Sequence, residues 1–276
     1  LSPTCEADPV TISGFRLDKY LVTVGRFRQF VNAVLPPDGG TGWLPAAGSG
    51  KHTHLNGGKG LADSANPGSF ETGWVASDNG NIMPTNENLI ACNPTYSTWT
   101  STAGGQETLP MNCINWYEAY AFCIWDGGFL PSEAEFEYAS AGGIQQREYP
   151  WGSTAPGTAN QYAIYDCNYP SGPGSCTALT NIAPVGTASL GAGLWGQLDL
   201  VGDPDEWILD SNAPYVDPCT DCAFMAGGSG QGRTAVIRGG FFEDSSTLNL
   251  KSSYRNEGLY ATDREESFGV RCARTP

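Results

Sequence analysis

A chain of 276 residues with 40% hydrophobic side chains, 36 glycines and 19 prolines can fill a core but is too rich in turn formers for a helical bundle. Fourteen basic against 29 acidic residues leave a formal charge of −15, which repels nucleic acid and anionic membranes and leaves divalent cations as candidate ligands. No window approaches about 18 apolar residues, so no membrane span is expected, and the start at Leu1 has the look of a mature or trimmed chain.

Residues 10–16, Val-Thr-Ile-Ser-Gly-Phe-Arg, alternate in the manner of a strand, and the domain is expected to begin there after an extension over 1–9. Thr23 is placed to cap a helix carrying Val24, Phe27, Phe30 and Val31 on one face. Residues 35–110 are rich in Gly, Pro, Asn, Ser and Thr and predict an ordered, irregular layer. Asn115 then caps a helix with Trp116, Ala119, Tyr120 and Cys123 at helical spacing, stopped by Gly127-Gly128. The S-x-x-E box Ser132-Glu133-Ala134-Glu135 predicts a second short helix over about 133–140. Beyond residue 150, short apolar runs between turn residues predict irregular β structure. Without a repeat or a linker, residues 10–276 read as one domain.

Nine cysteines accompany two histidines. A single CxxC, Cys219-Thr-Asp-Cys222, is a poor zinc site, so a disulfide framework in an oxidising, extracytoplasmic compartment is the better expectation. The odd count leaves one thiol over, for which Cys5 is the candidate.

Several segments, in order along nearly the whole chain, resemble the formylglycine-generating enzyme, or sulfatase-modifying-factor, family. They are Leu17-Asp18-Lys19-Tyr20-Leu21-Val22-Thr23, Pro110 to Trp116 with Ala119 to Cys123, and Leu130 to Tyr138, followed by Tyr149 to Gly152. Leu200-Val201-Gly202 with Glu206-Trp207, Arg238-Gly239-Gly240 and Gly269-Val270-Arg271-Cys272 complete the set. The resemblance implies a single α+β domain of the C-type-lectin kind with few helices, short strands and much irregular loop. It also implies a Cys123–Cys272 bridge, which would close a long loop and contribute roughly 4–5 kcal/mol on a chain-entropy estimate. Cys167 and Cys176 enclose a Pro/Gly-rich loop and suit a local pair, Cys92 and Cys113 would remain, and Cys219 with Cys222 could close a tight ring; the sequence leaves these three pairings open.

The enzymes of the family oxidise a substrate cysteine with dioxygen through two cysteines placed soon after Arg-Gly-Gly. Here the segment Arg238 to Asn249 holds none, and none stands between residues 222 and 272. Phe241 and Asp205 occupy places where the resemblance implies a serine and a tryptophan. A copper(I) site needs thiolates, and Asp244 and Asn249 cannot replace them, so formylglycine generation is not expected. Related enzymes hold iron with three histidines; His52 and His54, two apart on a polar loop, are ordinarily solvated. No Gly-x-Ser-x-Gly elbow supports a serine nucleophile, and the adjacent Glu243 and Asp244 read as a solvated loop edge.

The family's calcium loop, carried over onto this chain, implies side-chain ligands Asp199 and Glu206 with the carbonyls of Gly202 and Pro204. Without calcium, Asp199, Asp203, Asp205 and Glu206 read as a solvated acidic turn. A second calcium site would use Asn160 and the Gln161 carbonyl, with further ligands near Thr177 and Leu179, where the family's aspartate is missing, although Asp166 lies close. The resulting expectation is a non-catalytic, calcium-stabilised, secreted or cell-surface protein. It would bind a protein or glycan, form a homo-oligomer or assemble on a surface. The binding groove would involve Phe242, Glu243, Asp244, Asn249 and Asp205; Tyr254 and Tyr260 are further aromatics near it, and Phe241 is expected in the core. The alternative is an oxidoreductase whose metal site has moved, for instance onto His52, His54 or Cys219 and Cys222.

Overall fold

The helices begin where a side chain can accept the free amides of a first turn. In the computed structural model, which describes residues 10–225 and 232–276 (side chains of 257 and 258 excepted), Thr23 Oγ1 accepts from Arg26 N at 3.3 Å and opens α1 (Val24–Val34). Thr85 does the same for α2 (Asn86–Ala91). Capping boxes, Asn115 with Glu118 and Ser132 with Glu135, open α3 (Trp116–Trp125) and α4 (Glu133–Ser140). Every residue of α3 from Trp116 to Cys123 is buried, so α3 is a central helix rather than an amphipathic surface one. Cys5 and the expected extension lie outside the described residues.

The expected strand over 10–16 is two strands. β1 (Val10–Thr11) pairs in parallel with β5 (Cys219–Thr220), whereas β2 (Arg16–Leu17) pairs antiparallel with β10 (Ala273–Arg274). One alternating run thus divides between two partners, and Ser13 in the gap bonds the Asp221 carboxylate through both N and Oγ at 2.7 Å. A third small ladder joins β3 (Ala62–Asp63) to β6 (Cys222–Ala223).

The main sheet has the order β8-β7-β4-β9, built from β4 (Asp205–Ser211), β7 (Thr234–Arg238), β8 (Arg255–Tyr260) and β9 (Phe268–Gly269). β7 runs antiparallel to β4 and β8, and β9 runs parallel to β4. All of β4 is buried, including its acidic residues. Two indoles fasten α3 to it: Trp116 Nε1 donates to Ile208 O at 2.7 Å, and Trp207 Nε1 donates to Ile114 O at 2.9 Å. The irregular layer over 35–110 sends Leu55, Leu61, Trp74, Ile82, Leu89 and Trp99 into the same core as α1 and α3. Few helices, short strands and long ordered loops make an α+β domain.

Disulfides join Cys92 to Cys113, Cys123 to Cys272, Cys167 to Cys176 and Cys219 to Cys222. The second ties α3 to the segment between β9 and β10 across 149 residues of sequence.

Candidate functional site

The turn that leaves β7 gathers the polar residues singled out by the sequence. Gly240 adopts φ +69°, and a Cβ there would stand 2.7 Å from Asn249 O and 2.9 Å from Asp244 Oδ2, so only glycine fits. Its amide donates to Asp205 Oδ1 at 2.6 Å. The Phe241 amide donates to Asp244 Oδ2 at 3.0 Å, and Asn249 Nδ2 donates to Asp244 Oδ1 at 2.6 Å. Asp205, Asp244 and Asn249 therefore converge on one turn, and the last two are hydrogen-bonded to each other where the family resemblance places a cysteine pair.

Burial pushes Asp205 up to about 8, the Asp244 charge adds to this, and the Gly240 amide opposes it. Asp244 is raised by burial against its two hydrogen bonds, and Tyr254 is pushed to about 12 by burial and then by both aspartates. The turn is thus a set of neutral or reluctantly ionised oxygen and amide groups. Such a set can accept and donate hydrogen bonds, but it holds no soft ligand and no nucleophile.

Two groove expectations need correction. Phe242 is wholly buried, packed with Ile164 and Ile182 and 5.3 Å from the Tyr96 ring, while Phe241 is the partly exposed member of the pair. The positive φ of Gly239 and Gly240 resets which of two successive side chains faces inward. Asp205 lies beneath the turn rather than on its surface. Glu243 is half-buried; burial and Glu266 raise it, and a hydrogen bond from Tyr96 opposes them.

The acidic turn entering β4 is not solvated. Asp199, Asp203, Asp205 and Glu206 are 6, 1, 2 and 1% exposed. Arg271, which sequence reasoning quoted only as part of a motif, is the reason this is tolerable. Its Nε donates to Glu206 Oε1 and Oε2 at 2.9 and 2.7 Å, and its Nη atoms donate to the carbonyls of Leu198 and Asp199. Glu206 still rises to about 7, because burial outweighs Arg271. Asp199 Oδ2 accepts the Gly186 amide at 2.6 Å. Asp203 is the exception: neither carboxylate oxygen has a hydrogen-bond partner, and burial with the Asp199 charge holds its pKa well above the usual range. The Ala183 amide, the opposing influence, does not reach hydrogen-bonding geometry.

At the second expected calcium position, Asn160 Nδ2 donates to Pro170 O at 3.2 Å and Gln161 O accepts the Leu190 amide at 2.9 Å. Among the described residues, no three or more His, Cys, Asp or Glu side chains come together as a metal cluster.

His52 overturns the expectation of a solvated imidazole. It is fully buried, with Nδ1 3.0 Å from Glu71 Oε2 and Nε2 3.1 Å from Glu135 Oε2, and its ring lies against Phe129. Burial alone would lower its pKa, but Glu135 and Glu71 outweigh burial and raise it to about 9. The residue is therefore a charged strut between the irregular layer and α4. The signal missed in the sequence is Glu135, read there only as half of a capping box. His54 is lowered by burial and by the neighbouring His52 charge.

A profile of the sulfatase-modifying factor enzyme 1-like domain matches residues 5–276. The chain is 26% identical over 278 residues to the formylglycine-generating enzyme of Mus musculus, covering 96% of this chain and 67% of that protein. It is 31% identical over 106 residues to the inactive C-alpha-formylglycine-generating enzyme 2 of Mus musculus, covering 38% of this chain and 33% of that protein. These matches thus span from a third to two thirds of the curated relatives' own length. Among solved structures, PvdO from Pseudomonas aeruginosa superposes with a TM-score of 0.55 at 18% identity, covering 95% of this chain and 80% of that one, which is a likeness of fold.

Proposed function

The chain belongs to the sulfatase-modifying factor enzyme 1-like family, and from that premise we propose that it is a non-catalytic member, an extracytoplasmic, calcium-stabilised protein that binds a protein or glycan or takes part in a surface assembly. The observation that carries this reading is the Asp244–Asn249 hydrogen bond at 2.6 Å, standing where a thiolate pair would be needed. Four disulfides support an oxidising compartment. The relocated-metal alternative finds little support. Both His52 nitrogens face carboxylates, and Cys219 and Cys222 are bonded to each other.

Calcium fits the acidic turn through the buried, unpartnered Asp203 and its neighbour Asp199, with the carbonyls of Gly202 and Pro204 as further donors. A bound cation would supply the charge that these two carboxylates lack. Glu206, engaged by Arg271, would join only by sharing its oxygens.

The decisive experiment offers a cysteine-containing peptide to copper-supplemented protein and records oxygen uptake. No uptake above the peptide blank is expected, and turnover to an aldehyde product would overturn the reading. For calcium, chelation should lower the melting temperature, and Asp199→Asn and Asp203→Asn should each remove most of that response. A melting curve indifferent to chelator would remove calcium from the reading.

A further inference from the structure

We propose that a pocket on the other side of α3 from α1, separate from the β7 turn and independent of the reading above, binds an uncharged saccharide ring. The cavity measures about 360 Å³, at the small end of ligand pockets, and is walled by Trp74, Trp116 and Tyr120 with Glu71, Asp78 and Arg233 among them. The rings are held rigid. Trp74 Nε1 donates to Asn79 Oδ1 at 2.8 Å, Trp116 Nε1 is bonded to Ile208 O, and the Tyr120 ring lies 5.6 and 5.2 Å from those of Trp74 and Trp116.

Most polar groups of the wall are already used. Glu71 is committed to His52, and Arg233 Nη2 donates to Leu209 O at 2.7 Å while its guanidinium covers the face of Trp116 at 4.0 Å. Two atoms are left over: Asp78 Oδ1 and Arg233 Nε are buried, and neither has a hydrogen-bond partner. The two charges influence each other, yet no ion pair joins them. Buried groups are rarely left so, and those that are commonly await a ligand or solvent.

What completes them must donate to a carboxylate and accept from a single N–H. An anion would meet Asp78, and a cation would meet Arg233. A zwitterion's carboxylate is best held by the open Nε–Nη2 fork of an arginine, but Nη2 is spent on Leu209. Neighbouring hydroxyls both donate and accept, and the C–H face of the ring that bears them suits the aromatic walls of Trp74 and Tyr120.

Because Trp74 and Trp116 line the cavity, intrinsic fluorescence reads occupancy directly. D-glucose, D-galactose, D-mannose and N-acetyl-D-glucosamine are titrated into the whole chain, with L-phenylalanine as the zwitterion arm and calorimetry as the second readout. At least one sugar should give a saturable change. Asp78→Ala and Arg233→Gln should each weaken binding about tenfold or more, as expected for a hydrogen bond to a charged group. The melting temperature of Asp78→Ala should stay level or rise, since the variant removes a buried carboxylate oxygen, Oδ1, that has no hydrogen-bond partner. Saturable binding by none of the four sugars overturns the proposal, as does binding of L-phenylalanine in their place. So does sugar binding that is undiminished in a folded Asp78→Ala protein.

Discussion

Asp205 and His52 are both shifted upward, Asp205 because burial disfavours its charge and His52 because two carboxylates favour its charge, and both bear on stability. Asp205 sits at about 8 in the folded chain against 3.8 for the free side chain, so the folded state favours its proton. As pH rises from the lower value through the higher, the unfolded chain gives up that proton first and the folded state loses stability. Asp205→Asn should therefore raise the melting temperature at pH 8 and change it little at pH 4, which paired thermal melts would check. His52 is raised from 6.5 to about 9, so its contribution is complete below the unfolded value and is lost as pH passes the folded one. Replacing it by glutamine strands Glu71 and Glu135 in the interior. A loss of about 3–5 kcal/mol in urea unfolding is expected, as for a buried ion pair broken from one side; a change within error would show that the pairing is not what holds α4 to the irregular layer.

Helices α1, α3 and α4 were legible in the sequence because their starting signals are local, a hydroxyl or amide three residues before the amide it accepts. The strand over residues 10–16 was not, because its two halves belong to partners more than 200 residues further along. The Cys123–Cys272 bridge works at this scale, since it fixes α3 to the strand pair formed by both ends of the described chain. Changing both cysteines to serine should cost about 2–5 kcal/mol, and denaturant midpoints of the two proteins would measure it. The Gly239-Gly240 turn is held less by propensity than by space. Gly240→Ala should disrupt the Asp244–Asn249 hydrogen bond and lower the melting temperature, whereas an unchanged melt would show that the turn can relax around a Cβ.

Across the whole molecule, the acidic balance is partly internal. Asp205 near 8, with Glu206 and Asp210 near 7, all resist ionisation because burial costs more than their partners return. Together with the loss of the His52 charge, this predicts a melting temperature that falls between about pH 6 and pH 9, and a flat or rising profile over that range would contradict it. The residue order alone determined that no cysteine lies between Cys222 and Cys272, that the family's motifs run in sequence, and where the capped helices begin. These depend on composition and on contacts a few residues long. Only the tertiary structure decided that Arg271 closes on Glu206, that His52 is pinned between Glu71 and Glu135, and that Asp78 and Arg233 line one aromatic cavity. Charge state and pairing follow from burial, and burial is set by which distant segments the folded chain brings together.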